Sequence, residues 1–233
     1  MSNKLFLSAR WENLILATYK VSPSLLEAHL PKGLELDTIG GDAFLSIVAF
    51  DFLDTKVKGI KIPFHVNFPE INLRFYVIDR ERRGVVFIKE LVPGFFTALF
   101  ARIIYNENYR SIPMKRNISV GDTINLEHII NYAGKEYSIS VNAENKSFMP
   151  PADSTEHFFK EHEWGFGTTK KGEPLIYRVE HPFWNVYPVK EFNHNFDFGV
   201  IYGEKWKLLN EEKPFNITFA KGSEIKVFGA EKI

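Results

Sequence analysis

Four side chains that could do chemistry fall at alternate positions of one short stretch, FPEINLRFYV: Glu70, Asn72, Arg74 and Tyr76. A glutamate can move a proton, an arginine can hold a carboxylate or enolate oxygen, and an amide or phenol can orient a ligand. The residues between them, Ile71, Leu73, Phe75 and Val77, are all apolar. Such alternation predicts a strand with one greasy face and one polar face. Glu70 and Arg74 are four residues apart, which puts their Cα atoms about 13 Å apart on an extended strand. They therefore cannot pair directly, and each needs water, another strand or a ligand. Bare charge away from water is costly. A polar face flanked by fully apolar segments thus implies either an internal ion network or a polar-ligand site, in a barrel or a deeply curved sheet.

The elements that must position this strand can be read in outline. AFLSIVAFDF (43–52) and GVVFIKELV (84–92) are apolar at nearly every position, so both of their faces are expected to be buried. In the second, Lys89 interrupts one face and Glu90 the other. WENLILATYKV (11–21) reads as a first strand. In VSPSLLEAHLP, Ser22 caps a short helix with Pro23 at its first position. PGFFTALFARIIYNENY (93–109) breaks the alternation and reads as helical to about Tyr105. Turn signals at Ala133-Gly134, Lys171-Gly172 and Lys221-Gly222 predict three hairpins. Asp153 followed by Glu156 predicts the start of a one- or two-turn helix. With no repeat or linker, the expectation is one α+β domain over 1–233, dominated by antiparallel strands.

Composition narrows the function classes. The 29 basic and 29 acidic residues balance, so neither nucleic acid nor an anionic membrane is expected as a partner. Absence of cysteine removes disulfides, thiol nucleophiles and Cys-ligated zinc. The N-terminal residues show no signal-peptide core, and no apolar run is long enough to span a bilayer, so a cytoplasmic location is expected. The 22 Phe suit a β-rich core and leave a homo-oligomer open.

Five ordered blocks, NFPEINLRFYV, GVVFIKELVP, ARIIYNENY, EHEWGFG and YRVEHPFW, resemble the bacterial YqjF-like family of the acetoacetate-decarboxylase-like superfamily. The resemblance implies a mostly antiparallel, strongly curved, barrel-like sheet with a central cavity and a few flanking helices. It implies no activity, because that family carries no established one. YKVSPSLLEAHLPKGLEL resembles an early strand–helix segment of the decarboxylases themselves. On that likeness Glu70 matches a catalytic-site glutamate, Arg102 matches an arginine, and Tyr109 falls where the decarboxylases carry their Schiff-base lysine. Arg10 is a loose counterpart of a further arginine, two residues out of register. Imine chemistry needs a desolvated lysine beside a cation, and tyrosine cannot form an imine. Lys115 would replace the lysine only after a shift of several residues, and Lys89 only if it faces the cavity.

EHEWGFG and VEHPFW each set a histidine close before a tryptophan. His162, Trp164 and His181 are therefore candidate ligand-binding residues, with Asn72, Tyr76 and Tyr109, or else ordinary core residues. The histidine spacing offers no metal motif, and there is no nucleotide-binding loop or G-x-S-x-G elbow. No cofactor is expected. Three readings stay open. One is an enzyme without covalent lysine chemistry, a lyase or isomerase of a small oxo-acid or enol using Glu70, Arg74 and Arg102. The others are a non-catalytic small-molecule binder and a scaffold with a structural polar lumen.

Overall fold

The computed structural model describes residues 4–94 and 108–233. The segment expected to be helical over 93–105, with Arg102 in it, lies almost wholly outside these described residues. In chain order the first strands are β1 (Leu5–Val21), β2 (Glu35–Leu36), β3 (Ala43–Val57), β4 (Phe68–Asp79), β5 (Arg82–Val92) and β6 (Tyr109–Ser111). They are followed by β7 (Met114–Val120), β8 (Thr123–Tyr132), β9 (Lys135–Glu144), β10 (Trp164–Thr168) and β11 (Pro174–Glu180). The last are β12 (Val186–Tyr187), β13 (Val189–His194), β14 (Asn216–Phe228) and β15 (Glu231–Lys232). Helices are short: α1 (Pro23–Glu27), α2 (Thr155–Lys160), α3 (Phe198–Tyr202) and a 3-10 helix, Glu204–Asn210.

Seven strands run in the order β14-β1-β3-β4-β5-β10-β11, and β11 pairs back onto β14. Closure rests on two residue pairs, Val179 with Val227 and Glu180 with Lys226. The result is a strongly curved closed ring rather than an even barrel. All its pairings are antiparallel except β5 with β10. A second sheet, β13-β9-β8-β7, is antiparallel throughout. Its apolar face, with Leu126, Ile130, Ile139 and Val141, shares one core with Ile71, Leu73, Phe75 and Val77 of β4. Burying each such side chain contributes about 1.5–3 kcal/mol. That large apolar contact turns the alternate positions of β4 towards the lumen.

The capping details follow local chemistry. Ser22 precedes α1 and Pro23 sits in its first turn, as expected, although the helix stops at Glu27. Ser154, not Asp153, caps α2: its hydroxyl accepts the His157 N–H at 3.1 Å. Ala133 and Gly134, both with positive φ, turn β8 into β9, and the 169–173 turn joins β10 to β11. The third expected hairpin is not one. β14 runs unbroken through Lys221-Gly222, and the left-handed Gly222 meets a register shift in β1 around Asn13. A Cβ on Gly222 would lie 2.0 Å from the Trp11 carbonyl oxygen, so this glycine permits close backbone approach at a kink instead of reversing the chain.

Candidate functional site

The polar side chains of β4 are held by register. Phe50 of β3 stands opposite Glu70, Val48 opposite Asn72 and Ser46 opposite Arg74. On the other side Glu90 of β5 is directly opposite Asn72, and the parallel strand β6 sets Tyr109 beside Glu90. All of these side chains except Ser46 line a cavity of about 90 Å³ inside the ring, room for several water molecules. Every strand of the ring contributes to its wall.

Within the wall, Asn72 Nδ2 donates to Glu70 Oε1 at 3.0 Å. Arg74 Nη2 donates to the carbonyl of Phe159 in α2 at 3.2 Å. Asn72 Oδ1 and Arg74 Nε are buried with no hydrogen-bond partner among the described residues. Leaving such a group unsatisfied costs roughly 1–3 kcal/mol. Thus Glu70 and Arg74 do not pair with each other, and each is anchored by a neighbour.

His162 and Trp164 also line the cavity, His162 just before β10 and Trp164 as its first residue. The His162 ring packs on Tyr76 and Phe158, and its Nε2 lies 3.5 Å from Asp37 Oδ2. That contact orients the ring without satisfying either nitrogen. Burial pushes His162 down to about 4, with the adjacent Arg74 and Arg83 charges acting in the same sense and Asp37 opposing. The ring is therefore neutral at pH 7. Asp37 accepts from Arg83 Nε at 2.6 Å. Burial raises its carboxyl pKa, but the close His162 ring, the Arg83 hydrogen bond and the Arg83 charge outweigh this and hold it below the ordinary range.

The remaining candidates divide. Tyr109 lines the cavity. Tyr76 does not: its hydroxyl is 2.5 Å from Ser46 Oγ, which is 2.6 Å from Thr18 Oγ1. His181 stacks on Trp184 at 4.2 Å, with its Nδ1 2.9 Å from the Pro182 carbonyl oxygen, and is outside the cavity wall. Arg10 pairs with Glu12 at the surface. Lys89 Nζ points the other way, donating to the Ile201 carbonyl at 2.5 Å at the end of α3. Lys115 is exposed, and the buried Lys160 pairs with Glu161. No lysine is among the described wall residues, and residues 95–107 contain none in sequence. Among the described residues no three His, Asp or Glu side chains gather as a metal site. No helix of the described residues is long and apolar enough to cross a membrane.

Glu90, Trp11 and Tyr177 were not singled out as site residues by their sequence context. Glu90 did carry a signal, a carboxylate breaking a run apolar on both faces. Trp11 and Tyr177 looked like ordinary strand aromatics. Gly165 gave no signal either: a Cβ there would fall 2.0 Å from Tyr177 Cζ, so the missing side chain is what lets the Tyr177 ring lie across β10.

The family model described as an uncharacterized conserved protein, DUF2071, matches residues 8–224. The chain belongs to this family. A relative, the uncharacterized protein YqjF of Bacillus subtilis, is 32% identical over 115 residues, 49% of this chain and 47% of that protein. The DUF2071 chain thus matches about half the length of that curated relative. Solved structures share the fold at low identity. An acetoacetate decarboxylase-like enzyme from Sphingomonas wittichii RW1 superposes with TM-score 0.68 at 10% identity, covering 98% of this chain and 93% of that one. Acetoacetate decarboxylase from Legionella pneumophila gives 0.67 at 11%, covering 100% and 88%. The enduracididine biosynthesis enzyme MppR, complexed with pyruvate, gives 0.66 at 13%, covering 100% and 91%. The fold is therefore acetoacetate-decarboxylase-like.

Proposed function

We propose that the lumen binds a small oxo-acid or its enol, and that the protein acts on it as a lyase or isomerase without a lysine imine. The observation that carries this reading is the arc of β4 and β5. Glu70, Asn72, Arg74 and Glu90 meet there at a cavity inside the ring, and Arg74 Nε and Asn72 Oδ1 lack partners among the described residues. Arg74 would hold the carboxylate or enolate oxygen. Glu70 would take a proton from the carbon next to the carbonyl, the C–H pair forming the enolate C=C bond as the carbonyl π pair moves onto oxygen. Tyr109 and His162 line the same space, and a neutral His162 adds no charge to it. The pyruvate complex of a fold neighbour supports the choice of ligand class, and the lysine-free wall supports chemistry that avoids an imine. A purely structural lumen would satisfy its polar atoms internally, which these two atoms weigh against.

The test is a thermal-shift titration with pyruvate and acetoacetate, together with C3 proton–deuterium exchange of pyruvate followed by NMR. An acid at a hundred times its Kd should stabilise the fold by about 2.7 kcal/mol. Arg74→Met should keep its far-UV spectrum and lose the shift, whereas Glu70→Gln should keep the shift and lose exchange. Binding without exchange in the parent protein would leave a binding protein. A shift that survives Arg74→Met would sink the site assignment.

A further inference from the structure

The lumen has two unlike sides. Among the described residues its charged groups come from β4 and β5, whereas the arc β11-β14-β1-β3 lines the cavity with Trp11, Phe50, Phe52, Tyr177, Val179 and Val227. The polar atoms on these six side chains are one indole nitrogen and one phenol. Trp11 meets Phe50 and Phe52 edge-on, with ring centroids 5.2 and 5.6 Å apart, so the arc presents a continuous aromatic surface. Leu7, Trp11, Phe87 and Trp164 line the cavity and are only half-buried, which carries the apolar wall out towards solvent. An acid as small as pyruvate would reach the polar arc and leave this wall against water. An apolar wall gains free energy when an apolar group displaces that water.

We infer that the occupant is an amphipathic organic acid, with its carboxylate and oxo or enol group at Arg74 and a short aliphatic or aryl substituent running along the neighbouring strands β3 and β1 against Phe50, Phe52 and Trp11. This rests on the reading that the polar arc takes an acid head, and it adds what the rest of the molecule must be. The cavity of about 90 Å³ keeps the substituent to a few carbons within the closed part of the lumen. A second charge on that substituent would be set against aromatic faces that carry no counter-ion among the described residues, at a large desolvation cost.

The experiment is calorimetric titration of the full chain with pyruvate, 2-oxobutanoate, 2-oxopentanoate and phenylpyruvate, with 2-oxoglutarate and pentan-2-one as controls. The Kd should fall roughly three- to four-fold for each added methylene until the closed space fills. It should be weaker for 2-oxoglutarate than for 2-oxopentanoate. Leu7→Ser, at a half-buried wall position, should reduce the gain per methylene relative to the parent protein. A Kd that ignores chain length, or 2-oxoglutarate binding as tightly as 2-oxopentanoate, would overturn the apolar subsite while leaving the acid head in place. If pentan-2-one binds as tightly as 2-oxopentanoate, the acid head itself is wrong and the amphipathic assignment goes with it. No binding by any acid of the series would remove both.

Discussion

Two buried histidines tie this molecule's stability to pH. His162 sits beside the lumen, and His128, with Asp51 and Arg116 close by, is fully buried with neither ring nitrogen hydrogen-bonded among the described residues. Burial is the main cause that pushes each down to about 4 from an ordinary 6.5. Above pH 6.5 both are neutral whether the chain is folded or not, and no penalty arises. Below it the unfolded chain takes up the protons first, so stability falls as pH drops and levels off only below about 4. At about 1.4 kcal/mol per unit, each histidine costs on the order of 3 kcal/mol at pH 4. Urea denaturation at pH 7, 6, 5 and 4 should show that decline, and His162→Phe should remove on the order of 3 kcal/mol of it at pH 4. An unchanged slope in that variant would mean that His162 titrates freely in the folded state.

The strand that positions the site owes its two faces to alternation, and the same alternation made it legible. Ile71, Leu73, Phe75 and Val77 go to the shared core and Glu70, Asn72 and Arg74 to the lumen because a strand offers no third direction. Tyr76 shares the lumen-side parity but ends on Ser46, since its partner comes from β3 at a register that spacing within β4 does not encode. Likewise Lys221-Gly222 has turn composition, and only the close approach of the Trp11 carbonyl shows that the glycine serves strand contact instead. Asp37 reaches the site through contacts with Arg83 and His162 far along the chain, which spacing within its own segment does not encode. Gly165 is the sharpest case at this scale, a position whose lack of a side chain shapes the wall. Gly165→Ala would drive a methyl into the Tyr177 ring. Overpacking of this kind typically costs 1–3 kcal/mol. Urea denaturation should find that loss, with a weaker response to any lumen ligand. A neutral substitution would show that Tyr177 is free to swing away.

At the scale of the whole molecule, the two sheets share a single core cluster that also takes in α3 and the 3-10 helix through Phe198, Ile201, Trp206 and Leu209. The ring closes through only two residue pairs. Neither sheet buries its apolar face without the other, so unfolding of one exposes the inner face of its partner. This predicts one cooperative transition, not sequential loss of ring and second sheet. The tryptophans allow a direct check. Trp11, Trp164 and Trp184 report on the ring, with Trp206 in the shared core, while far-UV dichroism reports on both sheets together. The two signals should fall at the same urea midpoint. Ile139→Ala lies in β9 of the second sheet, fully buried and with no part in the lumen. It should cost roughly 2–5 kcal/mol and shift the tryptophan midpoint as far as the dichroism midpoint. Separate midpoints, or a variant that moves only the dichroism, would show that the ring stands alone and that the cavity does not depend on the second sheet.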